Sequence, residues 1–202
     1  MSSDIHVALS YQDGLPPELI EEFFELVSVE GAKVVSKARG PEFFAALEWA
    51  VPTVVIAYLS KPYFEAFLSE AGRDHYQLLK SAISKVFSRT KLASQDSKQD
   101  RSQNFSIVVK LEGGETLKFV FSDFFDENEL TTALDQTKTL MQEHYRNSPD
   151  DVISKAVGTV SPPSRSVYME FDIDESKWTL IDPMSEARKV YDAQSKHKNS
   201  RL

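Results

Sequence analysis

Three short polar stretches carry the residue types best suited to hold a ligand. Ser10, Tyr11 and Asp13 follow the apolar run Ile5–Leu9. Arg39 and Gly40 follow Ala32–Ala38, and Ser60, Lys61 and Tyr63 follow Thr53–Leu59. Together they offer hydroxyl donors, two cations and a carboxylate, a set that suits a small polar or anionic ligand. They lie far apart in the chain. They converge only if the three runs are neighbouring strands with their carboxyl ends on one edge, where open parallel sheets bind ligands.

The elements between them are written in a strand–helix grammar. Ile5–Leu9 reads as a first strand, closed by the turn chemistry of Ser10–Gly14. Pro16-Pro17-Glu18 opens a helix, with Leu19, Ile20, Phe23, Phe24, Leu26 and Val27 at helical spacing. Gly31 ends it. Ala32–Ala38 reads as a second strand, and Phe43, Phe44, Leu47 and Ala50 as a short helix. If Phe43-Phe44 and Trp49 exceed what one core face buries, they would mark a partner surface. Thr53–Leu59 is β-branched and nearly all apolar, as expected of a central strand buried on both faces. A longer helical stretch then runs to about Phe87. This order predicts an α/β fold with a parallel N-terminal sheet, flavodoxin-like, with strand 1 between strands 2 and 3.

Beyond residue 88 the grammar changes. Residues 89–104 are a polar stretch, expected to be a flexible linker between a unit at 1–88 and a second part at 105–183. Phe105, Ile107, Val109 and Leu111 alternate, Glu112-Gly113-Gly114-Glu115 turns, and Leu117, Phe119 and Phe121 alternate again, which predicts a β-hairpin. Asp126 and Glu129 have the spacing of a capping box for a helix to about Tyr145. Residues 147–166, with Pro149, Pro162 and Pro163, read as a loop. Val167–Ile173 and Trp178–Ile181 form a second hairpin. The two hairpins are expected either to extend the sheet antiparallel or to form a small α+β subdomain.

Composition removes several classes of chemistry. The 202 residues contain no Cys, so disulfides, thiolate metal sites and cysteine nucleophiles are excluded. The four His are scattered rather than clustered as metal ligands would be, and no metal is expected. The net charge is -8, and the tail from Ser185 holds five Lys/Arg against two Asp/Glu. The rest of the chain is thus about -11, with 18 basic residues against 29 acidic, which argues against nucleic-acid binding. Met1-Ser2-Ser3-Asp4 has no basic n-region, and the apolar run Val51–Leu59 is about half the ~20 residues a membrane span needs. A cytoplasmic protein without a membrane segment is expected. Glu170, Asp172 and Asp174 share a strand face and Asp123, Asp126, Glu127 and Glu129 cluster, but a solvated face and helix capping account for them. Asp74 and His75 are adjacent in a helix and face different ways. No phosphate-loop, dinucleotide or hydrolase motif is present.

Ile5–Asp13 resembles the opening strand of Toll/interleukin receptor (TIR) domains, which ends in a Ser-Tyr pair before an acidic loop. Gly31–Val35 resembles their second strand, and Arg39-Gly40-Pro41 stands where the family has an association loop. Thr53–Tyr63 is similar to their third strand and the Ser-x-x-Tyr after it. The resemblance covers about residues 4–85. It implies an interaction or signalling module, in a bacterial defence or signalling system, that self-associates or docks a protein partner.

Enzymatic members of that family cleave the nicotinamide–ribose bond of NAD with a glutamate on the helix after strand 3. The resemblance places that role on Glu70, with Glu65 second, where a carboxylate stabilises oxocarbenium charge. Phe67-Leu68 stand where the family has a Trp-Cys pair, so the non-catalytic module is the preferred expectation. NAD hydrolysis or nucleotide binding is the alternative, and a small-ligand sensor on the same fold is a third.

Overall fold

The structure, a computed structural model, describes residues 7–12, 16–28, 33–39, 53–60, 73–95, 104–122, 124–146, 151–159 and 166–182. The strands are β1 (Val7–Gln12), β2 (Val34–Arg39), β3 (Thr53–Leu59), β4 (Asn104–Lys110), β5 (Thr116–Phe121), β6 (Ser166–Asp172) and β7 (Lys177–Ile181). The helices are α1 (Pro17–Val27), α2 (Arg73–Gln95), α3 (Glu127–Tyr145) and α4 (Val152–Thr159).

All seven strands belong to one mixed sheet in the order β2-β1-β3-β4-β5-β6-β7. β1 lies between β2 and β3, as expected, and pairs with β2 in parallel. Its pairing with β3 is antiparallel, with Val7 opposite Leu59 and Tyr11 opposite Val55, so the expectation of a parallel N-terminal sheet fails there. Alternation of side chains is the same read in either direction, so a strand's pattern says which face is buried and not which way it runs. β3 pairs in parallel with β4, and the two hairpins β4–β5 and β6–β7 continue the sheet through the parallel pair β5–β6.

One face of the sheet carries the core. Val7 and Leu9, Val55, Ala57 and Leu59, Phe105, Ile107 and Val109, Leu117, Phe119 and Phe121, Val167, Met169 and Phe171 all pack into one cluster with buried residues of the four helices. Each fully buried aliphatic or aromatic side chain contributes about 1.5–3 kcal/mol relative to exposure. Trp178 of β7 anchors the far end. Its ring meets Phe119, Phe121 and Phe171 at centroid distances of 4.9, 5.1 and 5.3 Å. Its indole Nε1–H donates to the Ala133 carbonyl of α3 at 3.3 Å, which ties the sheet edge to the helix layer. β3 is not the two-faced buried strand expected, because Tyr58, on its other face, is 42% exposed.

Local chemistry explains the helices. α1 begins with Pro17, has Glu18 in its first turn and buries Leu19, Ile20, Phe23 and Val27. In α3 the capping box is complete: Asp126 accepts from the backbone of Asn128 and Glu129, and Glu129 accepts from the Asp126 backbone. α2 continues through Gln95, so the first seven residues of the expected linker, Arg89–Gln95, are helical. A polar sequence rich in helix formers is a helix end as readily as a linker. α4 lies inside the expected loop 147–166; its signal was Ile153, Ala156 and Val157 at helical spacing behind an Asp151 cap. The expected helix at 43–50 lies outside the described residues.

Candidate functional site

The direction of β3 separates the residues expected to share a site. Tyr11 sits opposite Val55, whereas Ser60 follows Leu59, which sits opposite Val7. Five residues of extended strand, roughly 17 Å at about 3.4 Å each, divide the two ends. Ser10 and Tyr11 also point to opposite faces, Ser10 buried and Tyr11 packed against the core. The Arg39 backbone pairs with Gln12, so it shares the Tyr11 edge. Ser60 stands at the other edge, and its buried Oγ has no hydrogen-bond partner among the described residues. Asp13, Lys61, Tyr63, Glu65 and Glu70 lie outside the described residues. Ser60 therefore cannot meet Ser10, Tyr11 and Arg39 around one small ligand, which corrects the switch-point expectation.

The structure instead gathers polar groups around a cavity of about 310 Å³ at the tip of the β4–β5 hairpin. Its lining is Leu111, Glu112, Gly113, Glu115, His144, Tyr145, Ser154 and Val157. The hairpin tip is built by glycine. The Gly114 amide donates to the Leu111 carbonyl at 3.1 Å, and the Leu111 amide to the Glu115 carbonyl at 2.8 Å. Gly114 has φ 87°, the left-handed position that closes such a three-residue turn. A Cβ at Gly113 would collide with the Glu115 carboxylate, so the bare glycine is what lets that carboxylate lie over the turn.

The other wall is the junction of α3 and α4. Asp151 caps α4: its Oδ1 accepts from the Ser154 amide at 2.8 Å and its Oδ2 from the Ser154 hydroxyl at 2.6 Å. The Lys155 amide donates to the Asp151 carbonyl at 3.2 Å. His144, in the last turn of α3, brings Nδ1 to 3.3 Å from Asp151 Oδ1. Each group sits at the helix pole that favours its charge, the carboxylate at an N-terminus and the imidazole at a C-terminus. Burial acts to raise the Asp151 pKa, but the Ser154 hydrogen bonds and the His144 charge outweigh it and hold it below its ordinary value.

This arrangement determines what chemistry is open. In a nucleophile relay a serine hydroxyl bonds to the imidazole. Here the Ser154 hydroxyl donates to Asp151, so both groups are committed to the cap. The Glu115 carboxylate, half-buried at the mouth, has no hydrogen-bond or ion-pair partner among the described residues. The cavity offers carboxylates, an imidazole and apolar walls for holding a ligand. Sequence reasoning took 112–115 only as a turn and 147–166 only as a loop; the Asp151-x-x-Ser154 spacing was the available signal.

The remaining constellations are structural. Asp135 accepts from Tyr76 at 3.1 Å and from Lys80 at 2.7 and 2.8 Å, bracing α2 against α3, and Lys138 lies 4.3 Å over the Tyr76 ring. Burial, then the Asp135 charge and hydrogen bond, push the Tyr76 phenol pKa upward and keep it a donor. Asp172 accepts from the Glu175 amide at 3.0 Å within the β6–β7 turn. Among the described residues no group of His, Asp and Glu has the form of a metal site, and no helix is long and apolar enough to cross a membrane. Compared with family models, curated proteins and solved structures, the chain matches none.

Proposed function

We propose that this protein is a binding module of the signalling class, which reads a ligand in the cleft between the β4–β5 hairpin tip and the α3–α4 junction. The observation that carries this reading is the Ser154–Asp151–His144 arrangement. Its hydroxyl and carboxylate hold the cleft wall together, while the half-buried Glu115 carboxylate lines the opening. A rigid wall with an outward polar lip is what recognition needs, because little ordering accompanies binding. The self-association or protein docking implied by the TIR resemblance belongs to the same reading.

The test is free nicotinamide after incubation of the purified protein with NAD, at low and at high protein concentration. A binding module releases none. Release that disappears in Glu70→Ala or Glu65→Ala would overturn the reading and make the chain an NAD hydrolase. Light scattering over the same concentrations checks self-association: mass rises with concentration if the module acts as a homo-oligomer, and a constant monomer mass leaves a different protein as its partner.

A further inference from the structure

We infer that the cleft takes an organic cation, an ammonium or guanidinium group on a short apolar stem. This rests on the reading of the cleft as the ligand site and adds the class of ligand.

Three observations carry it. The volume, about 310 Å³, is at the small end of ligand pockets and suits one long side chain or a small amine. The walls supply Leu111, Val157 and the half-buried Tyr145 for an apolar stem. The lip supplies two carboxylates, Glu112 and Glu115. Glu115 is folded over Gly113 in a position that any larger residue at 113 would take from it.

An anion is disfavoured by the same geometry. The α4 N-terminus would ordinarily attract one, but Asp151 already occupies it and accepts from the Ser154 amide and hydroxyl. Asp151 is engaged by Ser154 and His144, so among the described residues the carboxylate facing the cavity without a partner is that of Glu115. A bound cation gains charge-assisted hydrogen bonds in a partly desolvated space, where they are roughly twice as strong as neutral ones. The ligand expected at the strand ends was polar or anionic; the cleft that forms has the opposite preference.

The cation has two possible sources, a free amine or a basic side chain of a protein partner. Calorimetric titration separates them, with agmatine and n-butylamine as free amines, an acetylated and amidated Gly-Arg-Gly peptide as the side chain, and n-butyrate as the anion on the same stem. Binding of the free amines assigns the site to a small molecule. Binding of the peptide alone assigns it to a partner's side chain, and n-butyrate binds in neither case. Glu115→Gln weakens the cation about tenfold or more. Gly113→Ala weakens it several-fold, while Glu18→Gln, on α1, leaves it unchanged. Thermal unfolding of each variant shows that the fold is retained. No binding of any cation at millimolar concentration, or binding indifferent to Glu115→Gln, would overturn the inference. Such a result without nicotinamide release removes the ligand class alone; with nicotinamide release it removes the binding-module reading as well.

Discussion

His144 Nδ1 lies 3.3 Å from Asp151 Oδ1, joining the last turn of α3 to the cap of α4. The same carboxylate accepts from the Ser154 amide and hydroxyl, so one residue, 2% exposed at its side chain, gathers three polar groups of two residues from two helices. The cleft wall depends on it. Removing the carboxylate strips the α4 N-terminus of its cap, at a cost of about 0.5–2 kcal/mol.

Asp151→Ala is therefore expected to destabilise the protein by about 1–2 kcal/mol, the cost of the lost cap, since the exposed Ser154 can bond to water instead. Asp151→Asn, which still caps, costs less. Urea denaturation of both variants measures the difference. An effect of Asp151→Ala below about 0.5 kcal/mol, the usual range for surface changes, would contradict the buried network.

The same residue sets an acid dependence. Its folded pKa is depressed below the ordinary 3.8, so its stabilisation is complete above that value and is lost as pH falls through the folded value. The stability gap between wild type and Asp151→Asn is expected to narrow as pH falls below about 4. Denaturation midpoints at pH 7, 5, 4 and 3 check this. A gap that widens between pH 5 and pH 3 would reverse the assigned sign.

Trp178→Phe removes the indole bond to Ala133 and part of three ring contacts, with an expected cost of about 2 kcal/mol. Trp178→Ala, which leaves a cavity, costs about 3–5 kcal/mol. Guanidinium unfolding, with the slope compared to wild type, distinguishes loss of stability from a looser native state.

How much of this was legible in the residues depends on the range of the signal. Asp126 and Glu129 form the capping box that their spacing announces. Phe105–Phe121 form the expected hairpin, and Val167, Met169 and Phe171 face the core as their alternation requires. These are local signals. The direction of β3 is not local: Thr53–Leu59 reads the same whether Leu59 lies beside Val7 or at the other edge. That one reversal dispersed Ser10, Tyr11 and Ser60. Glu115, His144 and Ser154 are separated in sequence and meet only through the packing of α3 and α4 on the hairpin. α4 itself was concealed by the prolines on either side of it.

The reversal is open to a direct check, since the chain contains no cysteine. Ala8 and Tyr58 are paired across β1 and β3. The double variant Ala8→Cys/Tyr58→Cys is expected to form a disulfide on mild oxidation, because directly opposed strand residues lie within its reach. Non-reducing mass spectrometry reads the bond. A pair that stays reduced under native conditions would contradict the antiparallel register.

The most direct measurement of the central claim is a ¹⁵N–¹H NMR titration with agmatine, with backbone assignments. The account predicts shifts concentrated at Leu111–Glu115 and at His144, Tyr145, Ser154 and Val157, and their loss in Glu115→Gln. Shifts centred instead on Ser10, Tyr11 or Ser60, or none at saturating agmatine, would contradict it.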